Sequence, residues 1–163
     1  MIVLGVDPGL RISGYAVIKE KQQQLLVLDA GALRVDADLP MADRLLQIHH
    51  DIDALLAEHE IDIMAVEKLY AHYKHPRTAI LMGHARGIFL LAAAAHKIPV
   101  DEYSATRIKK SLTGSGRAGK EQMQRSVALQ LDLPQPPSPP DVADALAVAM
   151  CCINEHNRQE VTL

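Results

Sequence analysis

The chain has 163 residues, of which 48% are hydrophobic and 23% charged, a composition that fits one compact soluble domain with a substantial core. Its net charge of −3 does not by itself favour a nucleic-acid partner. We expect no signal peptide, because the first residues lack a basic region, and no membrane span, because Lys97 interrupts the longest apolar run.

The first half of the chain predicts a β-meander, a helix and a fourth strand. Ile2–Asp7 is typical of a short buried strand that stops at an Asp-Pro-Gly turn. Ser13–Lys19 and Gln24–Leu33 are two further β-rich runs, and the short connections predict that all three strands pair antiparallel. The apolar residues of Pro40–Glu58 recur with the helical period. Ile61–Glu67 then predicts an apolar strand that ends on an acid.

The second half predicts four helices and one brief strand. Arg77–His96 is Ala-rich and apolar almost all round in its second half, which indicates a largely buried helix. Pro134–Pro140 contains five prolines and is predicted to be a stiff, non-helical linker. The remaining elements are a strand at Pro99–Tyr103 and helices at Ser104–Leu112, about Lys120–Leu131, and Asp141 to about Asn157.

These elements predict a single α/β domain over residues 1–157, followed by a short C-terminal tail at 158–163. The sheet would be mixed and five-stranded, with a three-strand antiparallel meander, two further strands, and helices on both faces. This order of elements resembles the ribonuclease H-like architecture.

Four acids stand where these elements could bring them together. Asp7 and Glu67 each close a predicted strand, while Asp141 and Asp144 lie three residues apart on one face of a helix start. If the first and fourth strands are neighbours, a helix that delivers Asp141 and Asp144 to the same sheet edge completes a cluster of four carboxylates. Such a cluster needs divalent cations to stay ionised, and hard oxygen ligands suit Mg²⁺ or Mn²⁺.

Each acid also has an ordinary structural explanation. Asp is common before turns, Glu67 can reach solvent or pair with a base, and Asp141 follows a Ser-Pro-Pro sequence typical of a helix cap. Asp144 is harder to explain, because it lies in an apolar helix one turn from a like charge. In combination, the four acids favour two-metal chemistry, in which a water is activated and the leaving oxygen is stabilised at phosphorus.

Positive charge is concentrated in the middle of the chain. Residues 68–120 hold ten lysines and arginines against two acids, a net charge of +8, so the remainder carries −11. This distribution is compatible with one phosphate-binding face, although scattered surface lysines would give the same count.

The two cysteines, Cys151 and Cys152, are adjacent in an apolar segment. Neither a disulfide framework nor a metal knuckle can be built from them, and no Cys/His set has zinc spacing. We therefore expect two buried thiols in a reducing cytosol.

Five segments carry a family resemblance. They are Val6-Asp7-Pro8-Gly9 with Gly14-Tyr15, Ala65-Val66-Glu67, Gly83-His84-Ala85-Arg86-Gly87, Lys109-Lys110 through Gly114 and Gly116 to Lys120, and Asp141-Val142-Ala143-Asp144-Ala145-Leu146-Ala147. In order and in register, from Ile2 to about Ala149, they resemble the RuvC family of Holliday-junction resolvases, the crossover junction endodeoxyribonucleases.

The resemblance implies a role for each matching residue. The four acids, Asp7, Glu67, Asp141 and Asp144, would bind two Mg²⁺ ions per active site, with Mn²⁺ also supporting activity, and direct a water at a phosphodiester. The products would be a 5′-phosphate and a 3′-hydroxyl. The basic residues of the family's active site correspond to Lys109 and to Lys120, which would lie nearer the scissile phosphate and take part in catalysis, with Lys110 as a further DNA contact.

Further DNA contacts are expected after Glu67. Tyr70 stands where the resemblance implies an aromatic residue that contacts junction bases, a place where phenylalanine is more usual. Tyr73, Lys74 and Arg77 follow in a basic and aromatic stretch, which either adds stacking and phosphate contacts or is an ordinary loop.

The implied function is structure-selective cleavage of four-way DNA junctions in recombination and repair, by a homodimer that nicks symmetric strands. Its partners would be the junction and a branch-migration motor complex, with no membrane, and its location would be cytoplasmic, on a bacterial-type nucleoid. The helix Arg77–His96 is either the dimer contact or monomer core. Gly83 and Gly87 are interpreted as glycines that allow close helix packing.

Three other functions stay open. One is another ribonuclease H-like nuclease, and the second is a non-catalytic junction-binding module, which predicts gaps among the acids. The third is an actin-like ATPase or sugar kinase that uses Asp7-Pro8-Gly9 as a phosphate hairpin. That class needs two such domains around a nucleotide cleft, and the chain has room for one.

Overall fold

The computed structural model describes residues 1–69 and 76–161 of the chain. Strands β1 (Ile2–Asp7), β2 (Ile12–Lys21) and β3 (Gln24–Arg34) form the predicted antiparallel meander. Strands β4 (Ile63–Glu67) and β5 (Val100–Tyr103) continue the sheet in parallel beyond β1. The spatial order is β3-β2-β1-β4-β5, which confirms the mixed five-stranded α/β sheet and puts β1 at its centre.

Helices cover both faces of this sheet, as predicted. Because successive side chains of a strand point to opposite faces, Val3 and Leu4 of β1 enter two different core clusters. The cluster around Leu4 includes residues of helices α1 (Met41–Glu58) and α2 (Pro76–Ala95). The cluster around Val3 lies beneath α3 (Ala105–Thr113), α4 (Lys120–Gln130) and α5 (Pro140–Val161).

Helix α5 differs from its predicted bounds at both ends. It begins at Pro140 because proline is tolerated in the first helical turn, where its missing N–H would have no partner. Asp141 therefore lies inside the first turn and is not the cap itself. At the other end the helix passes Asn157 and continues to Val161, so the tail expected at 158–163 starts within helix.

Helix α2 is less buried than its composition predicts. Only 22% of the window Thr78–Ala95 is buried, and Ile80 and Leu91 are 62% and 57% exposed. The same window has a mean hydropathy of 1.5 and is long and apolar enough to cross a membrane by length and composition, contrary to the expectation from Lys97. Core helices of soluble proteins meet the same criterion, so it is weak support for a span. The helix packs on the sheet through Ala85, Phe89, Ala92 and Ala93.

Candidate active site

The ends of β1 and β4 position the first two acids. The two strands run in parallel with Val6 opposite Val66, so Asp7 and Glu67, the next residue in each, finish at the same sheet edge. Both acids are partly buried. The prediction that the first and fourth strands are neighbours is confirmed.

Helix α5 brings the other two acids by lying directly on the sheet. A Cβ added to Gly5 would be 2.2 Å from the carbonyl oxygen of Ala145, and one added to Gly14 would be 1.9 Å from that of Asp141. Neither glycine can carry a side chain while the helix keeps this approach. The two glycines therefore set how closely the first turns of α5, with Asp141 and Asp144, approach β1 and β2.

The close packing expected at Gly83 and Gly87 is wrong within the described part of the chain, where a Cβ on either residue would meet nothing within 4 Å. Their neighbour Arg86 makes the structural contacts instead. Its Nε donates to the carbonyl oxygen of Glu67 at 3.4 Å, and its Nη2 pairs with the carboxylate of Glu102. Arg86 thus anchors α2 to the ends of β4 and β5.

The turn after Asp7 is held by side chains that the sequence did not single out. Ser13 is buried. Its hydroxyl donates to the carbonyl oxygen of Gly9 at 2.8 Å and accepts from the N–H of Gly9 at 3.0 Å. From α1, Nη2 of Arg44 donates to the carbonyl oxygen of Leu10 at 2.5 Å. These bonds fix the backbone that carries Asp7 to the sheet edge.

The carboxylates are close enough to oppose one another's ionisation. Burial, followed by the charges of Asp144, Asp141 and Glu67, raises the pKa of Asp7 from 3.8 to about 7, against a smaller opposing effect of Lys120. Asp7 is therefore harder to ionise than an ordinary aspartate unless positive charge is added. A divalent cation is the addition that this donor set fits.

Two lysines counter part of this repulsion. Burial raises the pKa of Asp144, while Lys120 and Lys109 pull it down. Burial also raises the pKa of Glu67, with Asp144 adding to the rise and Lys109 opposing it. The Nζ of Lys120 lies 3.8 Å from Oδ2 of Asp144. Both lysines therefore stand beside the acids, and the roles that the family resemblance implies for them stay predictions.

A pocket of about 210 Å³, here called the inner pocket, adjoins two of the acids. It is lined by Glu67, Ala105, Ile108, Lys109, Lys120, Met123, Asp144, Ala147 and Val148. Lys110 follows Lys109 on α3 but is exposed and does not line this pocket. The structure thus places Lys109 at the inner pocket and Lys110 outside it, although both are predicted to contact DNA.

The other two acids, Asp7 and Asp141, line an open groove of about 550 Å³, here called the outer groove. Arg11 and Arg44 line the same groove, and Arg11 is exposed. The Nε of Arg44 is buried and has no hydrogen-bond partner among the described residues. Neither arginine was predicted. Arg11 follows the Asp-Pro-Gly turn closely enough to have been noticed, whereas Arg44 comes from α1 and reaches the site only through folding.

Four predicted DNA contacts fall at the edge of what the structure describes. Tyr70, Tyr73 and Lys74 lie outside the described residues. Arg77 belongs to α2, but its side chain is not described. All four stay predictions.

The sheet order and the convergence of four acids at one edge define a ribonuclease H-like domain with a carboxylate site of the kind that holds catalytic metals. The family model described as crossover junction endodeoxyribonuclease RuvC matches residues 3–152. The chain belongs to the RuvC family, which confirms the resemblance found in the sequence.

The matches to similar proteins cover most of this chain and most of each relative. The crossover junction endodeoxyribonuclease RuvC of Rhodopirellula baltica is 48% identical over 91% of this chain and 84% of the relative. That of Alkaliphilus metalliredigens is 40% identical over 93% and 92%. The Thermus thermophilus RuvC structure has a TM-score of 0.89 at 28% identity, covering 98% of this chain and 97% of that one. The same protein in complex with a Holliday junction substrate has a TM-score of 0.88 at 26% identity, covering 97% and 96%.

Proposed function

We propose that this chain is a structure-selective endonuclease that resolves four-way (Holliday) DNA junctions. The observation that carries the proposal is the convergence of Asp7, Glu67, Asp141 and Asp144 at one sheet edge, in a chain of the RuvC family. Support also comes from relatives named for this activity and from a solved relative in complex with a junction.

The four acids would hold two Mg²⁺ ions, with Mn²⁺ as a working substitute. The donor set fits these ions, because it consists of carboxylate oxygens, and burial together with their mutual repulsion raises the pKa of Asp7 to about 7. When bound, such ions supply an activated water and stabilise charge on the leaving oxygen.

The lysines of the chain would act on the phosphate. Lys120 is 64% exposed and 3.8 Å from Asp144, so its ammonium group can turn from that acid to a scissile phosphate beside it. Lys109 lines the inner pocket together with Lys120 and would add a second positive charge there. Hydrolysis would join the water oxygen to phosphorus and break the bond to O3′. One proton would pass to O3′ and one to solvent, leaving a 5′-phosphate and a 3′-hydroxyl.

The DNA would extend away from the acids along the outer groove. Arg11 and Arg44 line that groove. They suit phosphate contacts, because one guanidinium group can donate two parallel hydrogen bonds to phosphate oxygens. Beyond them, the residues that the family resemblance or the local sequence offers as DNA contacts are Lys110, Tyr70, Tyr73, Lys74 and Arg77.

Two such chains would act together as a homodimer, which suits the two-fold symmetry of a junction and two symmetric nicks. Ile80, His84, Gly87 and Leu91 are exposed and recur every three or four residues, so they form one face of α2. We assign the dimer contact to this face. A branch-migration motor complex would deliver the junction, and the site of action would be the cytoplasm, on the nucleoid.

The three alternative functions have less support than junction resolution. A non-catalytic binding module predicts a gap among the acids, and all four are present. An actin-like ATPase needs a second domain, and the described residues form one sheet. Another ribonuclease H-like nuclease would differ in substrate, which an experiment decides.

The deciding experiment offers the protein a mobile four-way junction, a plain duplex and an RNA–DNA hybrid, each with Mg²⁺ and with chelator. We expect cutting of the junction alone, at symmetric positions, and none with chelator. The Asp7→Asn variant serves as a control that should bind the junction without cutting it. Equal cutting of the duplex or the hybrid would overturn the proposed substrate, and cutting by the variant would overturn the proposed mechanism.

A further inference from the structure

A second group of side chains with metal-binding atoms lies between β5 and α5, apart from the four acids. Oδ2 of Asp101 is 2.7 Å from Nε2 of His156 and 3.8 Å from Sγ of Cys152. The three potential ligand atoms all lie within 4.8 Å of one another. We propose that Asp101, Cys152 and His156 form a binding site for a thiophilic divalent cation, with Zn²⁺ as the preferred ion.

The arrangement along the chain favours a shared ligand. Cys152 and His156 are four residues apart on α5, so they project from one helix face. Asp101 reaches them from β5, whose neighbouring strand is β4. The ion would therefore link the last strand of the sheet to the helix that also carries Asp141 and Asp144.

The donor set and its spacing suit zinc. Thiolate, imidazole and carboxylate bind Zn²⁺ tetrahedrally at roughly 2.0–2.3 Å, which puts ligand atoms about 3.5 Å apart. The separations of 2.7 and 3.8 Å fall on either side of this value, so small side-chain rotations suffice. A sulfur and a nitrogen ligand do not suit Mg²⁺, so this site and the four acids would select different ions.

The group combines a buried ligand with access for an ion. Cys152 is fully buried, whereas the side chains of His156 and Asp101 are 33% and 37% exposed. The hydroxyl of Tyr103 donates to Oδ2 of Asp101 at 3.1 Å and would orient that carboxylate from outside the ligand shell. Three protein ligands leave a fourth position for water or for a small ligand.

Without a metal, His156 and Asp101 form a hydrogen-bonded pair that packs against the thiol of Cys152. Burial raises the pKa of Cys152 to about 12, so the metal-free thiol keeps its proton at neutral pH. Binding of Zn²⁺ would form a sulfur–metal bond and release that proton to solvent. The sulfur–metal bond is what separates a metal site from a simple hydrogen-bonded cluster.

Cobalt titration of the full chain tests for that bond, because Co²⁺ replaces Zn²⁺ and absorbs light when bound to sulfur. Excess Mg²⁺ keeps the four acids occupied. We expect a sulfur-to-cobalt charge-transfer band that saturates at one ion per chain and disappears when Zn²⁺ is added. The band should be absent in Cys152→Ala. His156→Ala should weaken binding more than about 100-fold, because even outer partners of a metal contribute roughly 10–100-fold.

Cys151→Ala is the matched control, because Cys151 is equally buried but does not belong to the group. It should keep the band. Asp101→Asn, at a partly exposed position, gives a second test if Cys152→Ala does not fold, and it should bind cobalt at least about 10-fold more weakly. Absence of the band in the unaltered chain, or its loss in Cys151→Ala with retention in Cys152→Ala, would overturn the proposal. The charge-transfer band and the cobalt affinity are both measured without DNA cleavage.

Discussion

Asp7→Asn should stabilise the metal-free protein while abolishing its cleavage of DNA. The folded state raises the pKa of Asp7 from 3.8 to about 7, so Asp7 binds its proton more tightly in the folded chain than in the unfolded chain. Ionised Asp7 therefore lowers stability, fully above pH 7 and progressively less as the pH falls towards 3.8. The shift corresponds to roughly 4 kcal/mol. We expect a gain of about 2–4 kcal/mol at pH 8, the lower value allowing for an amide without a partner.

Urea unfolding in chelator measures this gain. At pH 5 the folded protein holds the Asp7 proton, so the advantage of Asp7→Asn should fall to less than half of its value at pH 8. Added Mg²⁺ should raise the stability of the unaltered protein and raise that of the variant less. Asp38→Asn, at an exposed position outside the site, should show no such gain. A variant that is no more stable than the unaltered protein at pH 8, or an advantage that does not change with pH, would refute the reasoning.

Three further changes test the geometry of the site and the dimer. In Gly14→Ala, the added Cβ would lie 1.9 Å from a backbone oxygen of α5 and must push the helix away. Junction cleavage should therefore fall by about 100-fold and stability by roughly 1–3 kcal/mol. In the control Gly83→Ala, inside α2, the Cβ meets nothing within 4 Å, and thermal stability should not fall. Lys120→Ala should slow single-turnover cleavage more than it weakens junction binding, and an equal loss of both would contradict a role at the scissile phosphate. Leu91→Lys should shift the chain from dimer to monomer in sedimentation without unfolding it, whereas Leu129→Lys, at an 81% exposed position on α4, should not.

The sheet and the four acids were predictable because both follow from local patterns. Strand β1 is a short apolar run that ends on Asp7 at a Pro-Gly turn, and β4 ends in the same way on Glu67. The parallel pairing of β1 with β4 then leaves little freedom in where the two carboxylates lie. The family resemblance added the substrate, which no single residue of the site reveals.

The contacts that hold the site together could not be read from the sequence. Ser13 and Arg44 bond to the turn after Asp7, yet neither stands in a motif of acids or glycines. The face of α2 was misjudged because an apolar helix has the same composition whether it enters a core or meets another chain.

The thiol cluster was missed for a related reason. The sequence shows only that the two cysteines are neighbours in the chain. Cys152 instead meets Asp101, which is 51 residues away in the sequence and comes close only when β5 joins the sheet.

The contact of α5 with Gly5 and Gly14 also affects how this sequence can change over evolution. The distance from Asp7 to the acids of α5 is set by backbone lying on backbone, with no side chain between them. Exchanges among the surrounding core side chains will therefore alter stability before they alter the separation of the carboxylates. The Thermus thermophilus protein keeps this fold with a TM-score of 0.89 at 28% identity. The fold thus tolerates wide sequence change, while in this chain two residues without side chains set the separation of Asp7 from the acids of α5.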